Sequence, residues 1–226
     1  MILAATLALA IAASSPGDSS RLVGVWESRE TSQGGIGGAF EFRPDGSYVD
    51  ATLVIVEIPY RVDGNRLILG GDASGAGAEK NVSTFRFDGD ALVQMGSDGS
   101  IVRRERLGGQ KVSTPTIVGE WRYCHYAGAV AYERYTDSGK LLLRIPMRSM
   151  TGRYSFEGDV LTLSRGQSPD VKLNAVVKGD NLVVSGASGR SHELRREPAG
   201  AWYDLSQVEK CVPTSPAAAA QPTPRK

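Results

Sequence analysis

Two histidines are the side chains of this 226-residue chain best suited to acid-base or ligand chemistry near neutral pH, and both fall in its second half, at His125 and His192. His125 follows Trp121 by four residues and His192 precedes Arg196 by four. If the strands that carry them are antiparallel neighbours in register at Trp121 and Arg196, both imidazoles face one interior. Tyr123, Tyr126, Tyr132 and Tyr135 lie beside His125, so the spacing predicts a ligand mouth lined by His125, His192, Tyr123 and Tyr132. A histidine pair can hold a metal or haem, but no carboxylate or thiolate stands at ligand spacing here, and neither metal nor cofactor is expected. Hydrogen-bonded wall residues are the plainer reading of the pair. G-x-S-x-G, G-x-x-x-x-G-K-[ST] and H-E-x-x-H are all missing from the sequence, so no catalytic residue is predicted and the protein reads as a non-enzyme.

The elements that would position these residues have a strand-like pattern. Val171, Leu173, Ala175 and Val177 alternate with Lys172, Asn174 and Lys178, and Leu141, Leu143, Ile145 and Met147 alternate with Lys140 and Arg144. Such alternation buries one face and wets the other, as in an antiparallel sheet. Turn signals PDGS, VDGN, FDGD and SDGS punctuate the chain. The pattern also occurs twice. LVGVWESRE at Leu22 returns as IVGEWRYCH at Ile117, YRVDGNRLIL at Tyr60 as YSFEGDVLTL at Tyr154, FDGDALV as VKGDNLV, and RRE at Arg103 as RRE at Arg195. The separations are 95 (Trp26 to Trp121), 94 (Tyr60 to Tyr154), 90 (Leu92 to Leu182) and 92 (Arg103 to Arg195), so the chain reads as a tandem duplication whose copies drift in their loops. Eight strands are predicted per copy, in the first at about 22–29, 37–43, 47–56, 58–63, 66–70, 80–87, 91–96 and 100–106. With no helical stripe to cover an edge, each copy is expected to close its eighth strand onto its first.

Gly-x-Trp on a first strand and a basic residue on a last one resemble the calycin superfamily, specifically the small bacterial lipocalin-like domains. The resemblance spans residues 21–197 and rests on Gly24 and Trp26 with Arg103 or Arg104, and on Gly119 and Trp121 with Arg195 or Arg196. It implies an all-β fold of two tandem eight-stranded antiparallel up-and-down barrels, each with an Arg packed across a Trp at its closed end. It also implies a carrier or sensor of a small hydrophobic molecule. A protein-binding envelope module, such as a protease or lysozyme inhibitor, is the alternative partner chemistry.

Residues 1–20 read as a signal peptide and leader, with an apolar run and a small-residue cleavage site near Ala12. The run is shorter than the roughly 20 residues of a membrane-spanning helix, so a periplasmic or secreted protein is expected. The remaining chain divides into a first barrel at 21–107, a linker at 108–116, a second barrel with a stapled segment at 117–211 and a disordered tail at 212–226. Export would place Cys124 and Cys211 in an oxidising compartment, and a disulfide between them is predicted. That bond would tie AWYDLSQVEKC, with Asp204 capping a short helix, back onto the second copy. TLVIVEI is apolar on both strand faces at Leu53 to Val56, which points first to a contact between the barrels and second to a partner's groove. With 26 basic and 25 acidic residues and a net charge of +1, the chain has no electrostatic footprint for nucleic acid.

Overall fold

The computed structural model describes residues 19–70, 81–108, 115–197, 202–206, 208 and 210–213. The predicted signal peptide with its cleavage near Ala12, most of the linker and most of the tail lie outside the described residues. The described chain is all-β, with fourteen antiparallel strands, seven from each of the two stretches that share the sequence pattern and are called the first and second copy below. The first copy supplies β1 (Gly24–Ser28), β2 (Ile36–Phe42), β3 (Ser47–Asp63), β4 (Arg66–Leu69), β5 (Val82–Asp88), β6 (Ala91–Gly96) and β7 (Ile101–Arg106). The second supplies β8 (Gly119–Cys124), β9 (Val130–Tyr135), β10 (Lys140–Glu157), β11 (Val160–Arg165), β12 (Ser168–Lys178), β13 (Asn181–Ser185) and β14 (Ser191–Arg196).

Seven strands replace the expected eight because 47–56 and 58–63 are one unbroken 17-residue strand, matched by the 18 residues of β10. Nothing around Glu57 supplies a turn residue. Pro59 is carried inside β3, its carbonyl accepting from the Gly70 N–H at 2.9 Å. Pro146 sits where the register slips before Arg148, an irregularity of the kind that accommodates proline in a sheet.

The strands form one closed ring in chain order, and β3 and β10 also pair across it, from Ser47 opposite Arg153 to Pro59 opposite Lys140. This crossing divides the ring into two circuits of eight strand segments. The first runs through β1, β2, the N-terminal half of β3, the C-terminal half of β10 and β11 to β14. The second runs through the C-terminal half of β3, β4 to β9 and the N-terminal half of β10.

The expected closure of each copy on itself is therefore corrected. β1 pairs with β14, placing Trp26 opposite Arg196, and β7 pairs with β8, placing Arg106 opposite Trp121. Each circuit draws strands from both copies, and the sequence boundary between 21–107 and 117–211 does not separate the circuits. Strand length is the physical reason. Seventeen residues at 3.3 Å each span about 56 Å, too far to turn back within one short circuit, so the strand serves both.

The core has three parts. One cluster, with Trp26, Phe42, Tyr48, Tyr154, Phe156 and Leu194, belongs to the first circuit. A second, with Leu67, Leu92, Trp121, Tyr135 and Leu141, belongs to the second circuit. The third packs on the opposite faces of β1, β2, β3 and β9, where Val25, Ala39, Leu53, Ile55 and Tyr132 meet Trp202, Tyr203 and Leu205 of the C-terminal segment. The apolar stretch at Leu53 to Val56 is thus covered partly by that segment. Asp204 caps no helix there. Its carboxylate accepts from the Ser206 N–H at 2.7 Å and hydroxyl at 2.6 Å, holding a turn. The segment is tied down as predicted: Cys124 and Cys211 are at bonding distance, S–S 2.03 Å, and Ala129 bridges Lys210.

Candidate functional site

The repeated Gly-x-Trp builds the same corner in each circuit. Trp26 donates its indole N–H to the Leu22 carbonyl at 2.7 Å and Trp121 to the Ile117 carbonyl at 2.8 Å; both rings are fully buried. The Arg196 guanidinium lies 4.1 Å from the Trp26 ring centre and Arg106 lies 4.1 Å from that of Trp121, a cation-π arrangement. Each guanidinium also donates to carbonyls of the chain entering the strand, Arg196 to Arg21 and Val23, Arg106 to Thr116 and Val118. Gly24 and Gly119 have φ of +128° and +134°, and a Cβ on either would run into the guanidinium. Glycine is required there both for conformation and for close approach.

Of the four arginines expected at these corners, only Arg196 is in place. Arg103 is exposed and paired with Asp88 at 2.5 Å, Arg195 is exposed, and Arg104 points into the second circuit. The repeated RRE misleads by two residues: Arg106 and Arg196 are 196 − 106 = 90 apart, the same separation as Leu92 and Leu182. That spacing was the available signal for Arg106.

The histidines are not brought together. His192 is exposed on β14, opposite Val184 in the first circuit. His125 follows β8 in the second, its ring 4.0 Å from Tyr126 and 6.4 Å from Tyr123, with its Nδ1 accepting from the Ala127 N–H at 3.3 Å. Burial lowers its pKa and Glu133 opposes that shift. The predicted pairing assumed β14 beside β8, whereas β7 occupies that edge. Tyr132 also leaves the proposed mouth. It lies opposite Arg122 while Tyr123 lies opposite Ala131, so the two tyrosines occupy different faces, and Tyr132 packs toward Tyr203. Tyr123 and His125 remain together.

Beneath them lies a polar group that the sequence reading missed. Arg104 and Glu133 are 4% and 3% exposed and form a two-pronged ion pair, Nε to Oε2 at 2.6 Å and Nη2 to Oε1 at 3.2 Å. The Tyr135 hydroxyl donates to Glu133 at 3.0 Å, and the Tyr123 ring lies 4.6 Å from the Arg104 guanidinium carbon. Burial, reinforced by the Glu133 charge, pushes both phenols up and keeps them neutral. Gln94, two residues along β6 from the Arg104 partner Leu92, donates to the Ser83 hydroxyl at 2.6 Å. Glu133 was legible as a carboxylate in the inward phase of Ala131, Glu133 and Tyr135.

At the matching positions the first circuit carries no charge, and its own inward pair, Arg165 with Asp50 at 2.6 Å and with the Tyr48 hydroxyl accepting from Arg165 at 2.9 Å, lies elsewhere in the circuit and is only partly buried. Phe40 faces Trp26 where Glu133 faces Trp121, Leu194 faces Leu182 where Arg104 faces Leu92, and Val184 and Ser28 take the places of Gln94 and Tyr123.

A second polar feature lies between the circuits. Arg144, 1% exposed, donates to both Glu27 oxygens at 2.8 Å and to Glu57 at 3.3 Å, and the Tyr203 hydroxyl donates to Glu27. Arg134 links Glu120 and Glu197 and lies 4.7 Å over the Trp202 ring. Above is a cleft of about 630 Å³ walled by Glu41, Arg43, Glu120, Arg122, Tyr132 and Trp202. No group of three or more potential metal ligands occurs among the described residues. No protein-family model and no curated protein sequence matches the chain.

Proposed function

We propose that the protein is an exported, non-enzymatic binding protein whose two circuits act as lipocalin-like barrels, and that the second takes a small molecule through the side framed by Tyr123 and His125. One observation carries this reading: a buried Arg104–Glu133 pair stands where the duplicated scaffold places Leu194 and Phe40 in the other circuit. A buried ion pair is weak as a stabilising device, since desolvation offsets much of its attraction and apolar residues of similar volume often do as well or better. At these two positions the first circuit carries the apolar Leu194 and Phe40. Retaining charge in the second is therefore read as serving a ligand. The Cys124–Cys211 bond supports an oxidising compartment, in keeping with the leader-like N-terminus. Among the described residues no helix is long and apolar enough to cross a membrane.

The test replaces the pair by apolar volume. Arg104→Met with Glu133→Leu is expected to keep or raise the melting temperature while abolishing the thermal shift produced by binders from a panel of small hydrophobic and amphiphilic molecules. A shift retained in the double variant, or no binder for the wild type, rejects the reading. A second reading, a module that grips another protein, draws on the charged cleft between the circuits. Partner binding that survives the double variant but is lost in Arg43→Glu with Arg122→Glu would favour it.

A further inference from the structure

The polar group inside the second circuit is incompletely satisfied, and its loose ends describe a ligand. Glu133 takes one edge of the Arg104 guanidinium, through Nε and Nη2, and Tyr123 covers one face. Nη1 is buried and has no hydrogen-bond partner. The Gln94 amide donates to the Ser83 hydroxyl, which itself donates to the Leu67 carbonyl at 3.4 Å. This direction of donation leaves Gln94 Oε1 as the second buried atom without a partner. Leu92 and Arg104 are register partners and Gln94 is two residues along the same strand, so Gln94 and Arg104 are diagonal neighbours on one face, within reach of a common group. A buried donor or acceptor left unmade is costly, and more so when it is charged. Here a donor and an acceptor are left open on one face of neighbouring strands.

We infer that the second circuit binds an uncharged amphiphile through a hydroxyl or primary amide that accepts from Arg104 Nη1 and donates to Gln94 Oε1. This rests on the binding role proposed above. The charge of the ligand follows from Glu133, which already neutralises Arg104. A ligand carboxylate would bring a second anion to one guanidinium in a dry interior, and a ligand cation would meet the Arg104 N–H groups. Around the polar end, Leu67 and Leu92 are fully buried and Phe85 packs against them, which suits an apolar body.

Four six-carbon probes separate the possibilities on the full chain at pH 8: 1-hexanol, hexanamide, hexanoate and hexane, followed by calorimetry. The alcohol and the amide are expected to bind at least tenfold more tightly than hexane and hexanoate. Gln94→Leu should erase most of that preference over hexane. Glu133→Gln frees the Arg104 charge and should turn the preference towards hexanoate. Wild-type protein that favours hexanoate, or that does not distinguish hexanol from hexane, overturns the ligand class while leaving a site in the second circuit. Failure of all four probes to bind overturns the class, and with the wider panel also silent the binding role falls with it.

Discussion

Cutting the chain between its repeats puts the crossed closure to a direct test. Residues 19–108 and 115–213, produced separately, each lose the partner of their long strand and one wall of both circuits. Leu22, Trp26, Phe42 and Tyr48 of the first copy sit in a cluster whose other buried members come from the second. Ile117, Trp121, Tyr135 and Leu141 of the second copy sit in a cluster whose other buried members, Leu67 and Leu92, come from the first. Uncovering four of these side chains in each half at roughly 1.5–3 kcal/mol apiece costs each half roughly 6–12 kcal/mol, against a total stability of about 5–15 kcal/mol for an ordinary domain. Neither half is expected to persist as a folded monomer. Alone, each should be unfolded or pair its long strand with that of a second molecule, a domain-swapped homodimer. Mixed, they should restore a one-to-one complex. Light scattering after size exclusion gives the stoichiometry, and circular dichroism with tryptophan emission gives the folding. A stable monomer of residues 115–213 with a buried Trp121 would refute the crossed closure.

Two further outcomes are expected. Cys124→Ser with Cys211→Ser opens a crosslink spanning 87 residues and should cost about 2–4 kcal/mol, read as a lower denaturation midpoint that matches wild type under reducing conditions; equal midpoints for oxidised and reduced wild type would argue against it. The Glu197 carboxyl is raised above the ordinary glutamate range by burial and by the neighbouring Glu27 charge, against the pull of Arg134 and Arg144. Between the usual value of about 4.3 and that raised value the native state holds a proton that the unfolded chain has released, so stability falls as pH rises through this window and the effect vanishes below it. Glu197→Gln should flatten the slope of stability against pH there, and an unchanged slope would show that Glu197 is not its source.

Period-two alternation and glycine turn signals suffice to read the all-β class, and the repeated Gly-x-Trp is legible in the sequence itself. The route by which the strands close was not. β7 ends in Arg106 and β14 in Arg196, each able to cover a tryptophan, so local pattern alone allows β1 to close on either strand. The deciding feature is the absence of a turn residue between Val56 and Pro59. That absence makes β3 one long strand, commits its two ends to different circuits and brings β14 to β1. The expectation of eight segments per copy divides this strand into 47–56 and 58–63, a break that no residue between them enforces.

The candidate site failed and succeeded for the same reason. A residue pair on neighbouring strands meets only if those strands are neighbours, so His125 and His192, whose meeting required self-closure, are separated. Arg104 on β7 and Glu133 on β9 flank β8, and they meet because β7 pairs with β8, the same crossed closure that separates the histidines. Each was visible as a charge in the inward phase of its strand, Arg104 in register with Leu92 and Glu133 between Ala131 and Tyr135. Two charges placed in apolar phase on elements that flank the same strand are a stronger pointer than two histidines at matching offsets. Only their mutual neutralisation makes both tolerable in the interior, and the first circuit carries Leu194 and Phe40 at the matching positions.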